Sequence, residues 1–122
     1  MTRKTLLAIP VALCLAASAA LAGGALPIGA SIPMADVKMK SVDGKELDLA
    51  DVAKPAGTLV VFTCNHCPFA KMWESRIVEL GNAYAAKGVG VIAVNANDPG
   101  QYPEDSFDVM TQRAKERGMR FP

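Results

Sequence analysis

The sequence is poor in metal-binding side chains and in net charge. It contains one histidine and three cysteines, and its formal net charge at pH 7 is +1. A near-neutral protein has no strong electrostatic attraction for nucleic acid, which argues against a polyanion-binding role. A structural zinc site needs four ligands, and the few cysteine and histidine side chains support one poorly. We therefore expect no nucleic-acid partner and no bound metal or other cofactor.

Long apolar stretches are also scarce, and the prominent one lies at the N-terminus. Arg3 and Lys4 precede an apolar run over residues 6–21, and small residues lead up to Ala22. This order is typical of a secretory signal peptide. The run is shorter than the roughly 20 residues that span a bilayer, and Pro10 interrupts it, so we predict cleavage after Ala22. The mature protein would be periplasmic or secreted, with membrane contact only if the segment stayed uncleaved.

Cleavage would divide the chain into three parts. Residues 1–22 are the signal peptide, and residues 23–35, rich in Gly, Pro, Ala and Ser, are predicted to be a linker. Residues 36–122 are predicted to form the folded domain. Within it, residues 36–49 alternate between apolar and polar around a turn at Asp43 and Gly44, which predicts a β-hairpin.

Hydrophobic periodicity after the hairpin predicts an α/β unit. Residues 59–62 and 89–94 are apolar runs typical of strands buried on both faces. Between them, apolar side chains recur every three or four positions and predict a helix with a core-facing stripe, namely Phe69, Trp73, Ile77, Leu80 and Tyr84. Such a strand, helix, strand unit is almost always parallel and right-handed. A further helix is predicted to open at Pro103 and stop at Gly118.

The first buried strand leads directly into a pair of cysteines. Cys14 leaves with the signal peptide, so Cys64 and Cys67 remain, and their spacing at a helix start places both sulfurs within disulfide reach. The helix start and a protonated His66 both favour thiolate over thiol. We predict thiol-disulfide chemistry in which Cys64 attacks, Cys67 resolves the mixed disulfide and His66 activates the pair.

Other interpretations of the pair are weaker. A structural disulfide would close a very short loop and gain little stability from it. Haem attachment requires a histidine directly after the second cysteine, where Pro68 stands. Pro68 also disfavours helical geometry at Cys67, which leaves open which of the two sulfurs is more exposed. For His66, the alternative to a role as activator is an exposed residue that tolerates the turn geometry and takes no part in the chemistry.

Three separated blocks carry a family resemblance, namely Phe62-Thr63-Cys64-Asn65-His66-Cys67-Pro68-Phe69, Val94-Asn95-Ala96-Asn97-Asp98 and Tyr102-Pro103-Glu104-Asp105-Ser106-Phe107. Together they resemble the thioredoxin-like redoxins, and more closely bacterial proteins of the alkyl hydroperoxide reductase and thiol-specific antioxidant superfamily. The resemblance covers about residues 28–122. It implies a thioredoxin-like fold and dithiol chemistry on Cys64 and Cys67, and it does not name a substrate. For a protein with disulfide-exchange chemistry we expect protein thiols or disulfides as substrates and a redox partner protein.

The sequence departs from that family at several points. Thioredoxins proper carry tryptophan and a buried acid where this chain has Thr63 and Thr58. The placement of His66 is similar to strongly oxidising periplasmic enzymes and the hairpin to reducing ones, so the direction of electron flow is open. The family fold continues with two antiparallel strands, a cis-proline loop and a helix. We therefore expect residues 36–122 to form only part of the domain.

Two further functions compete with disulfide exchange. Cys67 and Pro68 are locally similar to the peroxidatic site of peroxiredoxins, in which a sulfenic acid forms and a second cysteine resolves it. Peroxiredoxins carry a proline seven residues and a hydroxyl residue three residues before that cysteine, where this chain has Val60 and Cys64. A copper chaperone is the other alternative, with Cys64, His66 and Cys67 holding Cu(I), because soft thiolates suit that ion.

Overall fold

Two parallel strands and the helix between them lie at the centre of the computed structural model, which describes residues 25–122. The predicted signal peptide, residues 1–22, and its cleavage site lie outside the described residues. β3 spans Thr58–Phe62, α2 spans Pro68–Ala85 and β4 spans Gly90–Val94, with Thr58 opposite Gly90 in a parallel register. The predicted strand, helix, strand unit is confirmed.

The N-terminal part of the domain is the predicted hairpin with one change. β1, Met39–Lys40, pairs antiparallel with β2, Glu46–Leu47, and Gly44 adopts the positive φ of 85° that the turn requires. The second strand was expected to run through Leu49, which instead opens the short helix α1, Leu49–Val52. The reason is a capping box, in which Asp48 and Asp51 each accept a backbone hydrogen bond from the other.

The last helix starts later than expected. Pro103 opens a single 3₁₀ turn, Pro103–Asp105, and α3 then spans Phe107–Arg117. Gly118 ends α3 in the left-handed conformation, with a φ of 66°, as predicted. None of the helices in the described part of the chain has the length and apolar composition of a membrane span.

The core lies on both faces of β4, because the consecutive residues Val91 and Ile92 point to opposite faces of the strand and both are buried. Its buried apolar side chains come from all three helices, β4 and the C-terminal segment: Val52, Val78, Val91, Ile92, Ala114 and Phe121. The C-terminal segment also extends the backbone hydrogen bonding, because the Ala93 N–H donates to the Pro122 carbonyl oxygen at 2.8 Å. β4 is therefore the buried strand of the pair.

The sequence-based prediction of β3 as a strand buried on both faces is wrong within the described residues. Leu59 is 45% exposed and Phe62 is 75% exposed, because β3 pairs on one side only, with β4. The opposite edge of β3 and its outer side chains face solvent in residues 25–122. Val91 and Ile92 of β4 are 3% and 2% exposed, as predicted for a buried strand.

The predicted core-facing stripe of α2 is also wrong for this part of the chain. Four of its five members are exposed, namely Phe69, Trp73, Leu80 and Tyr84. The buried positions of α2 are Glu74, Val78 and Gly81. Glu74 pairs with two arginines of α3, Arg113 and Arg117, and Gly81 lies against the Phe121 ring. An ion pair and a glycine thus form the contacts that the periodicity assigned to large apolar residues.

Candidate functional site

The two cysteines lie in the turn that joins β3 to α2. Cys67 is the N-cap of α2 and has extended backbone geometry, with φ −66° and ψ 125°. Pro68 explains this placement, since its ring disfavours helical geometry at the preceding residue and its missing N–H costs nothing at the first helical position. Both thiols are free and half-buried.

The start of α2 lowers the pKa of the Cys67 thiol. Backbone N–H groups of Ala70 and Phe69 donate to its sulfur and stabilise the thiolate, and the Cys64 thiol donates a further hydrogen bond. Partial burial and the negative charge of Asp105 oppose the shift but do not cancel it. The thiolate form of Cys67 is therefore stabilised at the start of α2.

His66 lies between the cysteines in the chain, but its ring points to a different partner. Its Nδ1 lies 2.6 Å from Oδ2 of Asp105, a carboxylate with no exposed surface. The ring also stacks on Tyr102, with the centroids 4.3 Å apart and the planes 6° from parallel. The carboxylate and the aromatic ring together fix the orientation of the imidazole.

Asp105 organises the turn that carries the motif. Its Oδ1 accepts from the backbone N–H groups of Asn65 and His66, and its Oδ2 accepts from the Asn97 amide at 2.8 Å as well as from the His66 ring. Burial alone would raise the pKa of Asp105. The hydrogen bonds from Asn97, His66 and the Asn65 backbone outweigh that effect and hold the pKa of Asp105 at about 2. The carboxylate is therefore ionised at neutral pH.

Three potential ligand types also meet here. A ring nitrogen of His66, the sulfur of Cys64 and a carboxylate oxygen of Asp105 all lie within 4.8 Å of one another. These are the side chains that could hold a soft or borderline metal ion. Both oxygens of Asp105 already accept hydrogen bonds from protein donors, which favours its use as an acceptor rather than as a ligand.

An open apolar groove of about 510 Å³ runs alongside the cysteines. Cys64 and Cys67 line one end, and the exposed side chains of β3 and α2 line the rest, including Phe62, Phe69 and Trp73. The groove gives reactants access to both sulfurs. Three residues of the apolar stripe of α2, namely Phe69, Trp73 and Ile77, line this groove.

Ionisation of Cys67 should make the stability of the reduced protein depend on pH. Its folded pKa lies below the ordinary value of 9.0, so the stabilisation is fully present above that value and is lost as the pH falls through the folded pKa. We expect the free energy of unfolding of the reduced protein, minus that of Cys67→Ser, to rise with pH and level off above pH 9.0. Urea unfolding under reducing conditions measures it, and a flat difference would contradict the assigned donors.

Asp105, Asn97 and Tyr102 were not predicted as site residues from the sequence. Asn97 and the segment from Tyr102 to Asp105 fall within blocks that carry the family resemblance, but no role was assigned to them. The predicted parallel pairing could have pointed to these residues. Because β3 and β4 are parallel, the loops after their carboxyl ends must meet at one edge of the sheet. The segment after β4 therefore had to lie beside the cysteine turn, and Asp105 is the acid that becomes buried there.

Comparisons with known structures agree with this geometry. An uncharacterized conserved protein from Geobacillus kaustophilus is 47% identical, with a TM-score of 0.64, over 66% of this chain and 43% of that protein. A hypothetical protein from Sinorhizobium meliloti 1021 is 28% identical, with a TM-score of 0.66, over 70% of this chain and 47% of that protein. The chain thus spans less than half the length of either relative.

The sequence comparisons give the family. No protein of curated function matches the chain. The family model described as AhpC/TSA family matches residues 28–122, the same range over which the three sequence blocks resemble the redoxins. The parallel strand pair, the cysteines at the start of α2 and this match lead to one conclusion: the chain belongs to the AhpC/TSA family, the thioredoxin-like redoxins.

Proposed function

We propose that the protein is a thiol-disulfide oxidoreductase that oxidises pairs of thiols in client proteins, in the periplasmic or extracellular compartment to which its predicted signal peptide would direct it. One observation carries the proposal. Cys67 is the N-cap of α2, and the backbone N–H groups of Ala70 and Phe69 in the first turn of that helix lower the pKa of its thiol. A sulfur held in this way is a good leaving group and a stable product thiolate.

The exchange begins from the oxidised protein, with a bond between the Cys64 and Cys67 sulfurs. A client thiolate attacks Cys64, a client-Cys64 disulfide forms, and Cys67 leaves as the thiolate that α2 stabilises. A second client thiolate then attacks the client sulfur in that bond. The client gains a disulfide and Cys64 leaves as a thiolate, which takes up a proton. Two client thiols are oxidised and one protein disulfide is reduced.

The stabilised thiolate also favours one direction of electron flow. A disulfide becomes more oxidising when its reduced form is stabilised, because reduction then releases more free energy. The N–H donors to Cys67 act on the reduced form, since a disulfide sulfur carries no charge for them to stabilise. Electrons therefore pass from client to protein, and a redox partner protein must take them on and restore the disulfide.

A thiol peroxidase is the second candidate, and the position of Cys67 before Pro68 favours it. In that reaction the Cys67 thiolate attacks a hydroperoxide, becomes a sulfenic acid and releases an alcohol or water. The Cys64 thiol then attacks the sulfenic sulfur, a disulfide forms and water leaves. Both functions end in the same Cys64–Cys67 disulfide and differ in what oxidises the dithiol.

Two assays on the purified protein separate the functions. The oxidised protein is mixed with a reduced, unfolded substrate protein and the loss of free thiols is followed. In parallel, the reduced protein is mixed with a hydroperoxide and peroxide loss is followed. We expect rapid loss of substrate thiols and only slow peroxide loss, with both signals absent in the double variant Cys64→Ser and Cys67→Ser. Rapid peroxide loss without client oxidation would refute the proposal and establish the peroxidase.

A further inference from the structure

We propose that Asp105 is a positioning residue that acts on Cys64 through His66. The carboxylate holds the proton of the neutral imidazole on Nδ1, so that Nε2 is the nitrogen that exchanges a proton with the Cys64 thiol. This role deepens the proposed function and rests on it for its biological use. Neither the sequence blocks nor the family match assigns any role to Asp105.

The geometry around the imidazole supports a fixed tautomer. Oδ2 of Asp105 is ionised, has no exposed surface and lies 2.6 Å from Nδ1 of His66. A carboxylate accepts but does not donate, so Nδ1 must carry the hydrogen. In a neutral ring the other nitrogen is then an acceptor. The stacked Tyr102 ring, at 4.3 Å, opposes rotation of the imidazole out of this arrangement.

The carboxylate itself is held from two segments of the chain. Oδ1 receives the backbone N–H groups of Asn65 and His66 from the cysteine turn, and Oδ2 receives the Asn97 amide from the segment after β4. The Asn65 side chain also donates to the Glu104 carbonyl oxygen at 2.9 Å. A residue anchored so densely can fix the position of its partner, which is what a catalytic histidine requires of its orienting group.

Cys64 lies within reach of the oriented ring. Its sulfur lies within 4.8 Å of one ring nitrogen of His66 without a hydrogen bond between them, so the proton transfer requires the two groups to approach each other when a reactant binds. The proton moves from the Cys64 sulfur to Nε2, which leaves a thiolate and an imidazolium. The Nδ1 proton stays on the ring, and Asp105 stabilises the imidazolium without becoming protonated. When Cys64 later leaves a mixed disulfide, the same proton returns to it.

The tautomer can be read in the unmodified protein. We expect ¹⁵N NMR of the neutral His66 ring to show the hydrogen on Nδ1, whereas the neutral side chain of free histidine in water favours Nε2. A neutral ring with its hydrogen mainly on Nε2 would overturn the proposal without any substitution. As a matched control, Asn97→Ala removes a different partner of Asp105 and should keep the Nδ1–H signal. Loss of that signal in Asn97→Ala would show that loop packing sets the ring, and would also overturn the proposal.

The second test reads the reactivity of Cys64 in a Cys67→Ser background. Alkylation at neutral pH is followed by mass spectrometry of the peptide that contains Cys64. We expect Asp105→Asn to slow alkylation about tenfold, and to have no further effect once His66 is changed to alanine. Equal slowing with and without His66 would mean that Asp105 only shapes the turn. Alkylation needs no client protein, so the two proposals can fail separately. The role of Asp105 can hold when client oxidation is not observed, and client oxidation can be observed when the role of Asp105 is refuted.

Discussion

Replacing Cys67 by serine should leave the protein covalently attached to its clients. Without a Cys64–Cys67 disulfide, Cys64 reaches the mixed disulfide by attacking a disulfide of an oxidised client, which is the reverse of the last step of the proposed exchange. The Cys67 sulfur that would displace the client from Cys64 is missing, so the mixed disulfide accumulates. Cys64→Ser should trap almost nothing, because Cys67 is the stabilised thiolate and acts as the leaving group of the exchange. The two serine variants differ by the position of one sulfur and are matched controls for each other.

The trapped species are measured by electrophoresis without reductant, followed by mass spectrometry of the linked peptides. The expected linkage is on Cys64, and it should disappear on addition of a reducing agent. Trapping by Cys64→Ser, with none by Cys67→Ser, would reverse the roles and make Cys67 the attacking sulfur. That outcome would match the peroxidase, in which Cys67 before Pro68 is the first sulfur to react.

The elements around the site could be read from the sequence because each has a strong local signal. Short-range preferences predict the strands β3 and β4 from their apolar runs. They also predict the turn at Gly44 and the helix end at Gly118, and tertiary structure did not override them. The capping box at Asp48 and Asp51 was also readable, and it outweighs the apolar alternation that continued the hairpin to Leu49.

The direction in which α2 packs could not be read in this way. A stripe of large apolar residues identifies the face that avoids water, but it does not say which surface covers that face. Here the core side of α2 is set by Glu74, a buried carboxylate that pairs with Arg113 and Arg117 of α3. Arg113 lies 39 residues further along the chain than Glu74, beyond any local sequence pattern.

Asp105 shows the same limit at the site itself. Cys64, His66 and Cys67 are adjacent in the chain, so their spacing alone predicts their chemistry. Asp105 reaches them only because two parallel strands place the following loops at one edge. An acid in a polar loop has no sequence signature that separates a buried hydrogen-bond acceptor from a solvated surface charge. Only the parallel register makes that distinction.

The register also sets the largest stability effect we expect. Gly90→Ala should destabilise the protein by about 3 kcal/mol, because an added methyl would overlap the carbonyl oxygen of Val52. That oxygen is backbone, at the end of α1, so it cannot rotate away as a side chain would. Gly90 is also the first residue of β4 and donates its N–H to Gly57 at 3.0 Å, so a shift of β4 would weaken the parallel ladder.

Gly81→Ala is the matched comparison for this prediction. Its methyl would meet the Phe121 ring, a side chain that can turn about its own bonds, and alanine is better than glycine in a helix interior by about 1 kcal/mol. We therefore expect Gly81→Ala to cost about 1 kcal/mol, well below Gly90→Ala. Urea unfolding of both variants measures the difference. Equal costs would mean that α1 moves away from β4 as easily as one ring rotates, and α1 would then not be fixed against the sheet.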